Sequence, residues 1–284
     1  MTDALIAMHE AETAQAARLH ARRAYRLDEE AYTLSQSAFA RMKQESVALT
    51  EVLTLPCTVM HEPNTAATFC TSLEKHLRAV GVTLHAHSLL TESERGEYGE
   101  HVAYPQNRFT ERAYHRLTRR MKRPSVTYCT DFANACAEVR DGLADLCILP
   151  LRDEEGAYLR RFLHLLEEYG LSVREYAFEE GEEGEGTYYA LCGRGVILPS
   201  YAKTLALELS LPARSDNDAA FFASLVKLLG GELLAAEILP DAHTKATLAR
   251  LAFRIEGKRL ASFLLAARLF TADAWIFGMS ACNE

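Results

Sequence analysis

His85 and His87 stand two residues apart in a run, Val82 to Ser88, that reads as a strand, so both imidazoles fall on one face and could begin a metal site. A zinc centre needs further donors at a recognisable spacing, and none follows. The pair reads as two ordinary histidines, and neither a metal nor a cofactor is expected. The seven cysteines are odd in number and show no CxxC or CxxH spacing, which reads as buried thiols in a reducing compartment. Glu179 to Gly186 is a Glu/Gly run without the alternating ligands of a calcium loop, and reads as a solvated loop. Arg116, Arg119, Arg120, Lys122 and Arg123 cluster locally, but a net charge of −8 leaves no basic surplus to neutralise phosphates. That cluster reads as a solvated helix end, with no nucleic-acid partner. Gly-rich phosphate loops, nucleophile elbows and triad spacings do not occur, which removes nucleotide-dependent and hydrolase chemistry as far as motifs can.

The remaining polar residues depend on the elements that carry them. A chain of 284 residues, 49% apolar, has room for two cores. No run of eighteen apolar residues occurs and the first thirty residues carry charges throughout, so no membrane span or signal peptide is expected and the cytoplasm is the default location. Residues 1–50 contain neither Gly nor Pro and form an N-terminal helical segment suited to docking or dimerising. Residues 51–90 read as β-α-β, with strands over 52–60 and 82–88 around a helix from Thr65 to Val80, capped by Asn64 and stopped by Gly81. Thr91 to Glu100 reads as a linker or surface loop.

From there strands at Val102–Tyr104, Ser125–Cys129, Asp145–Leu149 and Leu171–Phe178 alternate with helices at Thr110–Arg120, Asp131–Arg140 and Glu155–Tyr169. That alternation predicts a parallel sheet with right-handed crossovers. Lys203 to Leu211 (KTLALELSL) alternates leucines with smaller or polar partners, as a half-buried strand does. A helix from Ala219 to Leu229 stopped by Gly230-Gly231, strands at 232–239 and 246–255, a helix from Lys258 to Phe270 and a strand from Ala274 to Met279 follow. The order β-α-β-β-α-β predicts a ferredoxin-like module of four antiparallel strands. The fold class is α/β, in three parts: 1–50, 51–198 and 199–284.

Two stretches resemble the prephenate dehydratase family. Tyr104-Pro105-Gln106-Asn107-Arg108-Phe109-Thr110 follows the layout of its Gly-Pro-Glu-Gly-Thr-Phe-Ser loop. Gly142-Leu143-Ala144-Asp145, then Pro150-Leu151-Arg152-Asp153-Glu154, follows its Gly-x-Ala-Asp strand ending in Pro-Ile-Glu-Asn-Ser. Thr187-Tyr188-Tyr189, Gly193-Arg194 and Lys203-Thr204 repeat the order in which that family's Thr-Arg-Phe leads into its regulatory ACT domain. The resemblance implies a lobe of the periplasmic-binding-protein type followed by a ferredoxin-like ACT domain. It also implies a ligand-binding cleft lined by Arg108, Phe109, Thr110, Arg152, Asp153, Glu154, Tyr188 and Tyr189, with Thr187 as the catalytic hydroxyl.

The chain departs from that family in its polar chemistry and its length. Tyr188 stands where the family has Arg, and a phenol donates one hydrogen bond and carries no charge at neutral pH, so it cannot clamp a carboxylate. Arg108 and Arg152 either bind an anion from new positions or are surface arginines beside an idle cleft. A second lobe of the family is replaced by the eight residues 179–186. In the ACT-like part, Asp218-Ala219-Ala220 and Glu237-Ile238-Leu239-Pro240 occupy the family's phenylalanine-binding segments, so Asp216, Asn217, Asp218 and Glu237 are the expected amino-acid site, and pairing of the sheet edge with a second copy is expected. The resulting expectation is a catalytically degenerate, dimeric protein that binds an amino acid or aromatic acid. The alternative is a divergent, active prephenate dehydratase of phenylalanine biosynthesis.

Overall fold

Short apolar runs bounded by local caps set the elements of the larger part of this chain. Its structure is a computed structural model that describes residues 19, 26, 29, 31–33, 35, 36, 62–79, 81, 83–90, 94–181, 184–199, 202–212, 216–240, 247–270 and 274–282. The strand expected over 52–60 lies outside the described residues, as does most of the N-terminal segment; residues 19, 26, 29, 31–33, 35 and 36 are helical. By its internal contacts the chain divides into two units: residues 1–85, 220–229 and 261–272 in one, and 86–219, 230–260 and 273–284 in the other.

In the first unit, helix α1 (Pro63–Ala79) buries Ala66, Phe69, Cys70, Leu73 and Leu77, a stripe at helical spacing. Glu74 on its polar side pairs with Arg78 at 2.6 Å and accepts from the Ser262 hydroxyl at 2.7 Å. His76 lies against the Tyr32 ring at 5.3 Å. The strand expected over 82–88 is not formed: residues 83–85 are irregular and Ala86–Leu89 is a single 3-10 turn. His85 and His87 therefore do not share a strand face.

The second unit carries nine strands in one sheet. They are β1 (His101–Pro105), β2 (Ser125–Cys129), β3 (Leu146–Asp153), β4 (Leu171–Glu180), β5 (Gly186–Arg194), β6 (Thr204–Pro212), β7 (Glu232–Pro240), β8 (Thr247–Glu256) and β9 (Trp275–Ala281), in the spatial order β2-β1-β3-β5-β4-β9-β6-β8-β7. Helices α2 (Arg108–Leu117), α3 (Phe132–Arg140) and α4 (Arg160–Glu168) connect the early strands, and α5 (Asp216–Leu228) and α6 (Leu260–Phe270) the later ones. Asn107 and Asp131 cap α2 and α3 by accepting from backbone N–H groups of the first turn, which is why both helices start where they do.

The sheet is mixed, not parallel throughout. β1 is parallel to β2 and β3, but β5 runs antiparallel between β3 and β4. The Glu/Gly run is not all loop: Glu179 and Glu180 end β4, Gly186 opens β5, and Gly181 N–H donates to Glu185 O at 2.7 Å in the hairpin between them. The segment before β1 is pinned, since Arg95 bridges to Val196 and Gly96 N–H donates to Val196 O at 2.9 Å. Asp145 accepts from the backbone of Glu100 and His101; a Cβ at Gly99 would lie 2.3 Å from Asp145 Cβ, so only glycine fits there. In β6, Leu205, Leu207, Leu209 and Leu211 are all buried, each contributing about 1.5–3 kcal/mol. β6 pairs antiparallel with β8 and β9, and β7 with β8, giving the order 9-6-8-7. A parallel contact at Val173 and Gly278 joins β4 to β9 and makes the sheet continuous.

Candidate functional site

The residues singled out by the resemblance gather at one end of the sheet. β1 and β3 are parallel and β4 runs with them, so the start of α2, Asp153-Glu154, Glu179-Glu180 and the opening of β5 all lie at the carboxyl ends of these strands. That is where ligands of α/β sheets bind. Within this end the residues divide between two faces. Tyr189 and Leu191 pack with Tyr104 and Ala113, while Ala190 and Cys192 pack with Leu149 and Leu163. Strand alternation puts Thr187 on the Tyr189 face and Tyr188 on the other. Arg152 would follow Pro150 to the Tyr189 face, but the β3–β5 register shifts between Pro150 and Arg152. That bulge turns Arg152 to the Tyr188 face, and it does not share a cleft with Thr187.

Several of these groups already have partners. The Thr110 hydroxyl is buried and donates to Pro105 O at 2.6 Å, and Asn107 Oδ1 accepts from Phe109 and Thr110 N–H at 3.0 Å each. Phe109 packs against the Tyr104 cluster, and Arg108 is exposed on the first turn of α2. Asp153 Oδ1 accepts from Ala157 N–H at 2.8 Å, and Glu154 Oε2 from Gly186 N–H at 3.0 Å, which ties the hairpin to β3. Tyr188 lies against Phe178 with ring centroids 4.9 Å apart.

Arg152 is the centre of a buried polar network. Its Nη2 donates to Glu208 Oε1 and to the Tyr158 hydroxyl, each at 2.5 Å, and its guanidinium lies 4.2 Å from the Tyr158 ring centroid. Tyr176 donates to Glu208 from 3.0 Å. The side chains of Arg152 and Glu208 are 14% and 3% exposed. Burial works against the Arg152 charge, but Glu208 and the two phenols outweigh it and its pKa lies above the ordinary value. Burial, reinforced by Glu208, also raises Tyr158 and Tyr176 well above theirs. A second buried pair, Arg250 with Glu167, sits nearby on β8 and α4.

On the opposite face, buried Glu179 pairs with Arg112 at 3.0 Å and Arg116 at 2.9 Å, and Arg116 also donates to Phe178 O at 2.6 Å. Burial and then Glu179 raise the pKa of Tyr189, opposite Ala177 on β4. Sequence reasoning missed Glu208, Glu179, Tyr158 and Tyr176. A lone charge inside an apolar strand, as in KTLALELSL, was the available signal.

Of the residues expected to hold an amino acid, Asp216, Asn217 and Asp218 open α5, and their side chains lie outside the described ones. Glu237 is half-buried, and its Oε1 accepts from Tyr158 N–H at 3.2 Å. Among the described residues no group of three or more His, Cys, Asp or Glu is placed to hold a metal ion, and no helix is long and apolar enough to cross a membrane.

No family model and no curated protein matches the chain. Solved structures do. One described as GqqA, a novel type of quorum quenching acylase, aligns over 66% of this chain and 97% of that one at 17% identity and a TM-score of 0.50. The prephenate dehydratase from Streptococcus mutans aligns over 66% and 100% at 16% identity, also with a TM-score of 0.50. At these identities the likeness is one of fold: this chain has an α/β fold like that of prephenate dehydratase.

Proposed function

We propose that this chain is a prephenate-dehydratase-like protein that has given up the dehydratase reaction and works as a small-molecule-binding, regulatory homodimer in the cytoplasm. Its ligand class is an amino acid or an aromatic acid, and residues 199–284 act as an ACT-like module. The reading is carried by Arg152: its guanidinium is bonded to Glu208 and turned away from Thr187. Tyr188, at the position of the family's carboxylate-binding Arg, packs on Phe178. The β-α-β-β-α-β order and the strand sequence 9-6-8-7 support the ACT-like assignment.

Incubation with prephenate is expected to yield no phenylpyruvate above the uncatalysed rate, while phenylalanine, tyrosine or an aromatic acid raises the melting temperature. Phenylpyruvate formation that is lost in Thr187→Ala would instead establish the divergent dehydratase. The same preparation can be offered an acylase substrate, because one structural neighbour is described as an acylase; turnover there would also overturn the non-catalytic reading.

A further inference from the structure

At the end of the sheet opposite the carboxyl-end residues, a cavity of about 400 Å³ opens among Leu117, Met121, Leu146, Leu191 and Ile197. Its volume and apolar lining are those of a small-molecule site. The polar groups at its wall are few. Both carboxylate oxygens of Glu100 are occupied, accepting from Lys122 and Arg123 N–H at 2.8 and 2.9 Å. Glu175 lies 3.9 Å from Arg120, and burial raises its pKa, with Arg120 opposing. Arg120 and Arg174 are the two cations at the cavity wall.

Arg174 is held unusually flat. Its Nη1 and Nη2 donate to Glu97 O and Arg194 O at 2.9 Å each. A Cβ placed on Gly193 would lie 2.7 Å from Cζ, 2.7 Å from Nη2 and 2.9 Å from Nε. Near-equal distances to three atoms of the plane mean that the guanidinium lies face-on over Gly193, which must lack a side chain to allow it. Arg174 also lines the cavity. Burial pushes this group down to about 10, and its Nε–H meets no acceptor. A fixed, poorly hydrated guanidinium plane favours a stacked π ring.

We propose that this cavity binds a small aromatic carboxylate, with its ring on the outer face of Arg174 between Leu146 and Leu191 and its carboxylate at Arg120. The proposal rests on the small-molecule reading above and moves the ligand to the far end of the sheet from the residues that resemblance selected.

Calorimetric titration of the full chain with 3-phenylpropionate, 3-phenylpropionamide and hexanoate tests it. The aromatic acid is expected to bind at least about tenfold more tightly than the neutral amide or the ring-free acid. Arg120→Gln should weaken it by a similar factor, and Ile197→Trp, which fills the cavity, should abolish it. Met121→Trp does the same service if Ile197→Trp fails to give a folded circular dichroism spectrum. No heat up to about 5 mM, equal binding of the amide, or unchanged binding in a folded Trp variant overturns the proposal. Binding that survives the Trp variants but is lost in Tyr188→Ala removes the cavity and keeps the regulatory reading. No melting-temperature response to any aromatic acid or amino acid removes both.

Discussion

Arg152 on β3 donates to Glu208 on β6 across 2.5 Å, although 56 residues separate them in the chain and three other strands stand between them in the sheet. The pair crosses from the α/β part to the module that follows it. Removing one member of a buried pair strands the other charge, which costs about 3–5 kcal/mol. Arg152→Met and Glu208→Gln should each lower stability by about that amount in urea unfolding. The double variant Arg152→Met/Glu208→Gln should lose less than the sum, by about 0.5–3 kcal/mol; strict additivity would show that the two are not coupled.

Glu175 predicts a pH dependence. Burial raises its carboxyl above the ordinary value, with Arg120 pulling the other way. Between the ordinary and the raised value the folded chain holds a proton that the unfolded chain has released, so stability falls as pH rises through that window. Glu175→Gln has no such proton to lose. It should melt above the parent chain at neutral pH, with the difference closing as pH drops below the usual carboxylate range; a constant offset at all pH values contradicts this.

The dimer proposed above has a specific register. β7 ends the sheet and shows Leu234 at 42% and Ile238 at 60% exposure. A two-fold axis through Ala236 would lay β7 antiparallel on its copy and set each Leu234 opposite an Ile238, an apolar pairing that removes an open edge. Sedimentation should give a dimer for the parent chain and a monomer for Ile238→Lys. A parent chain that sediments as a monomer defeats the proposal.

Tyr188→Arg restores the guanidinium of the resembling family but not its surroundings. The variant loses a ring contact with Phe178 worth about 0.5–1.5 kcal/mol and should still form no phenylpyruvate, because Arg152 stays with Glu208. Prephenate turnover in this variant alone would show that one residue held activity back.

Local signals were legible in the sequence and non-local pairing was not. The helices expected at 110–120 and 131–140 appear as Arg108–Leu117 and Phe132–Arg140, because the caps that start them, Asn107 and Asp131, act within one turn; the expected cap Asn64 instead lies inside Pro63–Ala79. The antiparallel placement of β5 against β3 depends on partners 34 (Asp153 with Thr187) to 47 (Leu146 with Gly193) residues away and left no trace in periodicity. The alternation in KTLALELSL pointed Glu208 to solvent, yet Glu208 is buried against Arg152. The bulge at Arg152 is equally silent: nothing in LCILPLRD announces the extra residue that swings one arginine across the sheet.

The ninth strand in chain order is sixth in space, wedged between β4 and β6. During synthesis the first eight strands must therefore wait as two incomplete sheets until β9 emerges to zip them together. A ribosome that stalls before Trp275 leaves two raw seams exposed, the bare edges of β4 and β6.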